Sequence, residues 1–184
     1  MKRIIIAMML IGLPFMVFGQ DYYTGKNAVT IDGVTYVITK NREVQNSKNT
    51  LYGKPELMSD GTIFYSKDWD FYVRCKNKDI VDQIVKENIP QSILSRMKMG
   101  DCHLMINVVV IPLTGRVVEV CFILTNFGRN KVNEACAIPP KSLMAIEKEL
   151  KEKLRYECSM TNIDHLDGFL YSSGSRGHCT SNVK

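Results

Sequence analysis

The chain has 184 residues, of which 45% are hydrophobic and 23% are charged, and its formal net charge is +5. This hydrophobic content is too high for an intrinsically disordered chain, and 12 Gly with 6 Pro exclude collagen-like and low-complexity compositions. The basic residues are scattered among acidic and neutral ones, so we expect a mixed, solvated surface rather than a nucleic-acid-binding face, and no nucleic-acid partner. The length fits one compact domain.

The N-terminal segment, residues 1–19, has the pattern of a secretory signal peptide. Lys2 and Arg3 precede an apolar run over residues 4–18, and polar sequence begins at Gln20. The run is shorter than the ~20 apolar residues that a spanning helix needs. We therefore expect cleavage before Gln20, no stable membrane span afterwards, and a periplasmic or extracellular location in a Gram-negative bacterium.

Residues 20–70 are expected to form an N-terminal extension with one β-hairpin. Two β-branched runs flank Asp32-Gly33, which is a typical sequence for a tight hairpin turn. Residues 40–60 are rich in Asn, Lys and Ser, and this composition predicts a long exposed loop.

The central part of the chain, residues 71–171, contains the elements of an α+β domain. A strand pattern at residues 70–75 precedes two helical patterns. Asn77 is the expected cap of the first helix, while Pro90 and Gly100 delimit the second.

The longest strand pattern is a hairpin of two β-rich runs. We expect a three-residue loop, 113–115, whose glycine takes the left-handed conformation. In the resulting register Leu104 opposes Leu124 and Val110 opposes Val118, so that one face is apolar throughout. The other face is half polar, which predicts a sheet covered on one side only.

The strongest helix pattern follows over residues 141–156. Its apolar stripe is expected to pack on the sheet, with Glu147 and Lys151 as an exposed i,i+4 pair. A short strand at 168–171 and a flexible tail over 172–184 are predicted after it.

This order of elements resembles the TonB C-terminal-like domain. The likeness lies in the alternating apolar residues of 104–110, the turn glycine Gly115, the renewed alternation from Arg116, and the helix over 143–154. It implies an α+β fold with an antiparallel sheet and helices packed on one face, preceded by the N-terminal β-hairpin. Ile111-Pro112 replaces the family's usual acidic residue before the turn, and no Pro-rich linker is recognised, so energy transduction is not expected. The chain is also similar to small uncharacterised secreted proteins of Gram-negative gut-type bacteria.

Six cysteines would meet an oxidising compartment after export. We expect at least one disulfide, with Cys102 to Cys136 and Cys158 to Cys179 as the favoured pairings. No C-x-x-C spacing occurs, which argues against a thioredoxin-like motif and a zinc ribbon. No metal or other cofactor is predicted.

The sequence favours a noncatalytic exported binding or adaptor protein of the cell envelope. G-x-S-x-G, H-E-x-x-H and phosphate-binding glycine loops are absent from the sequence. His103 is expected at the surface, His165 in a polar turn and His178 in the tail, so no enzyme is predicted. The alternatives are a hydrolase or other enzyme with an unrecognised site, and a protease-inhibitor-like module, although the inhibitory Gln-x-Val-x-Gly pattern is absent from the sequence.

A free sheet edge is the expected binding element, because an envelope protein or peptide can add a strand to it. Tyr65, Trp69, Phe71 and Tyr72 form a candidate binding surface. Their alternative role is to cover the open sheet face, since half-buried strands favour aromatic residues. The sequence leaves the oligomeric state, the ligand and the biological process open.

The signal-peptide prediction can be tested by expressing the full chain in a Gram-negative host. The exported product is expected to begin at Gln20, because the basic start and apolar run direct the chain to the export machinery. Intact-mass spectrometry of the periplasmic and extracellular fractions measures the cleavage point. An exported product that retains residues 1–19 would contradict the prediction, and a charge-reversed K2E/R3E chain serves as the export-defective control.

Overall fold

The computed structural model describes residues 20–54, 62, 71–111, 114–128, 132–160 and 172–176. Within these ranges a six-stranded antiparallel sheet has the order β1-β2-β3-β6-β5-β8, and β4 pairs with β7 as a separate ribbon. The predicted α+β class, with an antiparallel sheet and an N-terminal hairpin, is confirmed. The strands are β1 Ala28–Ile31, β2 Val34–Ile38, β3 Glu43–Asn46, β4 Phe71–Cys75, β5 Cys102–Ile111, β6 Arg116–Asn126, β7 Tyr156–Met160 and β8 Ser172–Arg176. The helices are α1 Asp79–Asn88, α2 Gln91–Met99 and α3 Pro140–Lys153, with a 3₁₀ helix at Glu134–Ala137.

The β5–β6 hairpin has the predicted register over most of its length. Leu104 opposes Leu124, as predicted from the alternating pattern. A β-bulge between Val109 and Val110 then shifts the pairing, so that Val110 opposes Val117 rather than Val118. The reason is a loop one residue longer than predicted, since the last pair of the ladder is Ile111 with Arg116. The bulge leaves Val117 as the core residue.

Gly115 is confined by a second strand as well as by its own turn. Its φ is +63°, the left-handed conformation that the sequence predicts. Its carbonyl accepts a hydrogen bond from the Tyr156 N–H at 2.8 Å. A Cβ at this position would lie 1.9 Å from the Tyr156 carbonyl oxygen, so only glycine fits between the turn and the start of β7.

Asn77 links the start of α1 to the end of α3 and does not cap α1. The residue before α1 is Lys78, and α1 has no side-chain cap. The Asn77 amide donates to the Lys153 carbonyl at 2.9 Å, and its oxygen accepts from the Arg155 N–H at 3.1 Å. α3 therefore ends at Lys153, three residues before the predicted end, because the chain becomes extended there and pairs with β4.

The N-terminal extension belongs to the same sheet as the central hairpin. The loop predicted over residues 40–60 contains β3, which pairs with both β2 and β6. Val44 of β3 opposes Phe122, and both side chains are fully buried. At the other side, β8 pairs with β5 where the sequence predicts the start of a flexible tail. The strand predicted at 168–171 lies outside the described residues.

The second face of the central hairpin, which carries Asn107 and Val109 of β5 with Glu119 and Cys121 of β6, is also covered. All four residues are buried, so the prediction of a sheet covered on one side only is wrong. A strap formed by residues 49–52 contributes to the cover, because its backbone N–H groups donate to the Glu119 carboxylate. The polar residues of this face, from which we predicted exposure to solvent, instead form buried hydrogen bonds.

The two hairpin glycines provide a test of this packing. Gly115→Ala is expected to lower the free energy of unfolding by more than about 2 kcal/mol, because left-handed strain adds to a clash with backbone. Gly33→Ala is the matched control, since Gly33 also has a positive φ of +78°, but in the described part of the chain no atom lies within 4 Å of the added methyl. We expect it to cost about 1 kcal/mol. Equal losses in urea denaturation would contradict the close approach of Tyr156.

Candidate functional site

A cleft of about 330 Å³ lies between the N-terminal segment and the β2–β3 turn. It has the size of a small-molecule site. We call it the basic cleft, because three of its lining side chains are cations and, among the lining residues of the described chain, none is acidic. It is lined by Tyr23, Thr24, Gly25, Lys26, Asn27, Ile38, Thr39, Lys40, Arg42 and Cys136.

The N-terminal wall of the cleft is anchored to the 3₁₀ helix. The Tyr22 N–H donates to the Cys136 carbonyl at 3.0 Å, and the buried Tyr23 hydroxyl donates to the Ile138 carbonyl at 2.9 Å. Burial raises the pKa of Tyr23, so its hydroxyl stays protonated as a donor. The segment that carries Lys26 is thereby fixed to the core.

Asp21 holds the turn that leads into the wall of the cleft. Its carboxylate accepts hydrogen bonds from the N–H groups of Tyr23 at 2.9 Å and Thr24 at 2.8 Å. Burial alone would raise the pKa of Asp21, but the hydrogen bonds from Thr24 and Tyr23 and the charge of Lys26 together lower it. The negative charge of Asp21 therefore stabilises the turn.

The opposite wall is the β2–β3 turn, which holds Arg42 in an unusual backbone conformation. The Thr39 N–H donates to the Glu43 carbonyl at 2.9 Å, and the Arg42 N–H donates to the Thr39 carbonyl at 3.0 Å. Arg42 has a φ of +60°, in the left-handed region that favours glycine. Such a residue costs about 1 kcal/mol, and this kind of strain is concentrated at functional sites.

The cations of the cleft form no salt bridge within the described chain, although Lys26 is near enough to Asp21 to lower the pKa of its carboxyl. The salt bridges of that part join Arg96 to Glu134, His103 to Asp101, and two lysines of α3 to neighbouring glutamates. A concave surface with charges of one sign concentrates the electric field and attracts ions of the opposite sign. A guanidinium offers paired donors to carboxylate, phosphate or sulfate oxygens.

Cys136 lines the cleft as a neutral thiol. Burial raises its pKa, and the negative charge of Asp21 raises it further. The Thr24 hydroxyl donates to its sulfur at 3.9 Å. A nucleophilic cysteine needs the thiolate form, so this environment does not activate Cys136.

The second face contains a buried polar cluster in which Glu119 holds the strap. Its carboxylate accepts the N–H groups of Thr50 at 2.6 Å, Leu51 at 3.0 Å and Tyr52 at 2.7 Å. Asn107 donates from its amide nitrogen to the Tyr52 hydroxyl at 2.8 Å. The Asn107 Oδ1 atom is buried and has no hydrogen-bond partner among the described residues. The Glu119 carboxylate is therefore engaged as an acceptor for the strap, and its role is structural.

The remaining groups of this cluster are poor acid–base catalysts at neutral pH. Burial raises the pKa of Cys121 to about 12. The pKa of Tyr52 is also raised to about 12, with burial as the main cause. Both groups therefore stay protonated, and neither is a nucleophile near pH 7.

His103 is buried, so its predicted surface position is wrong. Its Nε2 lies 2.9 Å from the Asp101 carboxylate, and its ring packs 5.1 Å from that of Phe127, measured between ring centroids. Four residues separate His103 from Asn107 along β5, about 13 Å in a strand, so the imidazole is remote from Cys121, which opposes Asn107. His165 and His178 lie outside the described residues.

Glu147 is buried as well, in contrast to the exposed position predicted for it. It accepts a hydrogen bond from the Tyr36 hydroxyl at 2.5 Å and pairs with Lys151 at 2.6 Å. The Asn46 amide donates to the same carboxylate at 3.3 Å. Burial, followed by the contact with Glu147, raises the pKa of Tyr36. This cluster fixes strands β2 and β3 against α3 and so positions the turn that carries Arg42.

The predicted disulfides are only partly covered by the described residues. Cys75, Cys102, Cys121 and Cys136 are buried thiols, and the predicted bond between Cys102 and Cys136 is not formed in this structure. The side chain of Cys158, in β7, and the whole of Cys179 lie outside the described residues.

The candidate aromatic surface is divided between described and undescribed parts of the chain. Phe71 and Tyr72 belong to β4, where Phe71 opposes Met160 and Tyr72 opposes Ser159, but their side chains are not described. Tyr65 and Trp69 lie outside the described residues. The aromatic surface therefore stays a prediction.

Lys26, Lys40 and Arg42 are the residues that sequence reasoning missed. They were interpreted as part of a scattered charged surface, but two turns bring them to one cleft. The signal that could have found them is Lys40-Asn41-Arg42, a polar turn segment between Ile38-Thr39 and Glu43-Val44.

Two further searches concern the ranges that the structure describes. There, no three or more His, Cys, Asp or Glu side chains are grouped so that they could hold a metal ion. In the same ranges, none of the helices has both the length and the apolar character required to cross a membrane.

Comparison with known proteins identifies the fold. No family model and no curated protein matches the chain. Among solved structures, it is similar to a DUF5043 family protein from Bacteroides uniformis ATCC 8492, with 20% sequence identity and a TM-score of 0.65, covering 88% of this chain and 89% of that chain. At this identity the similarity concerns the fold alone. The resemblance to the TonB C-terminal-like domain stays a prediction.

Glu119→Gln tests whether the carboxylate holds the strap. An amide offers one acceptor oxygen and places N–H donors against the N–H groups of residues 50–52, so the free energy of unfolding should fall by about 2 kcal/mol. Hydrogen exchange of the three strap amides should accelerate more than exchange in the core of α3. Glu149→Gln is the control: it removes the ion pair with Lys153 but keeps an oxygen that can accept the hydrogen bond from Asn88, so it should change stability little. Unchanged strap exchange in Glu119→Gln would contradict the role of Glu119.

Proposed function

We propose that the protein is a noncatalytic exported binding protein of the cell envelope, and that it binds an anionic small molecule in the basic cleft. The observation that carries the proposal is the strained Arg42 facing the same cleft as Lys26 and Lys40. The ligand class follows from the chemistry of these groups, which suits carboxylate, phosphate or sulfate oxygens.

The architecture of the walls supports binding by a preformed site. One wall is fixed through Tyr22 and Tyr23 to the 3₁₀ helix, and the other through the Glu147 cluster to α3. Preorganised cations lose little conformational freedom when a ligand arrives, which favours affinity. The Ile38 side chain adds an apolar contact, so a ligand with an anionic group and a short apolar part matches the lining.

The state of the nearby groups favours binding over catalysis. Cys136 is a protonated thiol, and the Tyr23 hydroxyl is committed to a backbone carbonyl. His103 lies outside the set of residues that line the cleft. General acid–base catalysis needs a group whose pKa lies near the working pH, and neither Cys136 nor Tyr23 meets this condition.

Arg42→Gly separates binding from folding. Glycine accepts the left-handed backbone, so the free energy of unfolding should be unchanged or higher by up to about 1 kcal/mol. Loss of the guanidinium should weaken anion binding at least tenfold, as expected for a charge-assisted contact. The measurement is calorimetric titration of the folded variant and the parent with phosphate, sulfate, citrate and glucuronate.

Asp32→Gly is the matched control for this experiment. Asp32 also has a positive φ, of +48°, but it lies in the β1–β2 turn, outside the cleft lining. The free energy of unfolding of Asp32→Gly should change as that of Arg42→Gly does, while its affinity for anions should equal that of the parent. Binding of none of the four anions by the folded parent, or equal binding by Arg42→Gly, would contradict the proposal.

A further inference from the structure

Strand β1 is one edge of the six-stranded sheet, with β2 as its neighbour. The Ile38 N–H donates to the Asn27 carbonyl at 2.8 Å, so the residue pair just before β1 is hydrogen-bonded. Bonded and non-bonded pairs alternate in an antiparallel ladder, so Val29 also bonds to β2, whereas Ala28 and Thr30 direct their N–H and C=O groups away from it. Ala28 and Thr30 are exposed. We call this outer side of the strand the β1 edge.

The β1 edge lacks the sequence features that natural sheets use against strand addition. Its four residues, Ala-Val-Thr-Ile, include no charge and no proline. Its pairing with β2 runs from Ala28 with Val37 to Ile31 with Val34 without a bulge. Protected edges commonly carry a lysine, a proline or a bulge. An edge of this kind can accept an extended peptide, which bonds through its main chain.

The two ends of the β1 edge carry opposite charges. Exposed Lys26 lies two residues before the strand, and exposed Asp32 follows its last residue. A strand added antiparallel to β1 has its C-terminal end beside Lys26, whereas a parallel strand has that end beside Asp32. A terminal carboxylate is attracted to the lysine and repelled by the aspartate, so charge selects the antiparallel orientation. Antiparallel pairs are also the commoner kind.

The lysine end of the β1 edge meets the basic cleft. Lys26 and Asn27 line the cleft and lead directly into β1. Two residues of extended chain span about 7 Å, so a peptide that ends just past Ala28 has its carboxylate within reach of the Lys26 side chain. Lys40 and Arg42 line the cleft from the β2–β3 turn. The cations of the proposed anion site therefore lie where an antiparallel strand ends.

The carboxylates that adjoin these cations in sequence are engaged outside the cleft lining. Asp21, whose pKa Lys26 helps to lower, accepts hydrogen bonds from the N–H groups of Tyr23 and Thr24. The Thr39 hydroxyl donates to the Glu43 carboxylate at 3.3 Å. Asp21 and Glu43 are absent from the residues that line the cleft in the described chain. The cleft surface thus offers an arriving carboxylate cations without an acidic neighbour among its lining residues.

We propose that the ligand of the basic cleft is the C-terminal carboxylate of an extended peptide that adds to β1 as an antiparallel strand. This proposal rests on the proposed function, because the cleft has to bind anions. The main chain of the peptide bonds to Ala28 and Thr30, and its carboxylate binds the cations of the cleft. Successive side chains of the peptide alternate between the two faces, so β-branched residues suit the positions beside Val29 and Thr30.

The test compares the peptide acetyl-Lys-Val-Thr-Val-Thr with a free C-terminal carboxylate and the same peptide with a C-terminal amide. We expect the carboxylate form to bind the protein roughly tenfold more tightly in calorimetric titration, as for a charge-assisted contact. Lys26→Gln should remove most of this difference. Hydrogen exchange of the Ala28 and Thr30 amides should slow when the peptide binds, because both N–H groups gain an acceptor.

Thr30→Pro tests the β1 edge itself. Proline removes the outward N–H and leaves the hydrogen bonds to β2 in place, which is how edge strands tolerate proline. The peptide affinity should fall roughly tenfold, as expected for a lost main-chain bond, while binding of the small anions in the cleft is retained. Thr35→Val is the matched control. It removes the hydroxyl contact that joins Thr30 to Thr35 at 2.9 Å, but its own carbonyl bonds to Ser47 of the opposite side, so it should bind the peptide as the parent does.

The outcomes separate this proposal from the proposed function. Equal affinity for the two peptides, or unchanged peptide binding by folded Thr30→Pro, would overturn the strand-addition proposal. A parent that binds the small anions but neither peptide also overturns it and leaves the proposed function standing, whereas failure with anions and peptides alike overturns both. A dimer seen by light scattering, lost in Thr30→Pro and unaccompanied by peptide binding, assigns the β1 edge to a second copy and overturns it too.

Discussion

The burial of the β5–β6 hairpin on both faces is the constraint on which the rest of the structure depends. Its core face packs against the helices, while its second face carries buried Asn107 and Glu119, which require hydrogen-bond partners. Glu119 finds them in the strap, so an irregular segment is fixed by charge rather than by apolar packing. Strands β3 and β8 complete the two edges of the hairpin. β2 then pairs with β3, and β1 with β2.

The basic cleft depends on more than strand pairing, because strand pairing alone does not place its cations. Both walls are turns, and each is tied to the helical layer by buried tyrosines. Tyr23 reaches the Ile138 carbonyl, and Tyr36 reaches Glu147. Like charges repel, and the left-handed backbone of Arg42 adds a further cost. The packing of the tyrosines offsets these costs, so the charged groups are assembled before any ligand arrives.

The sequence predicted the elements whose pattern is local. The hairpin glycine, most of the β5–β6 register and the helices follow from alternation, turn chemistry and helical periodicity. Glu147 was misplaced because an i,i+4 pair with Lys151 is the same pattern on a solvated and on a buried helix face. β3 was missed because four residues, Glu-Val-Gln-Asn, carry almost no strand pattern until β6 lies beside them. The cleft was missed for the same reason, since it depends on contacts between residues distant in sequence.

The sheet order has a consequence for how the chain folds. β6 pairs with β3, about 80 residues earlier, and β5 pairs with β8, about 65 residues later, so both ends of the chain must return to its middle. Loop closure over such distances is slow, and β5, which pairs with β6 on one side, completes its pairing only when residues 172–176 reach its other edge. Until then the central strands have unpaired edges, which invite pairing with other chains. A chain with this topology gains from a chaperone that keeps it extended until its last strand is free to pair.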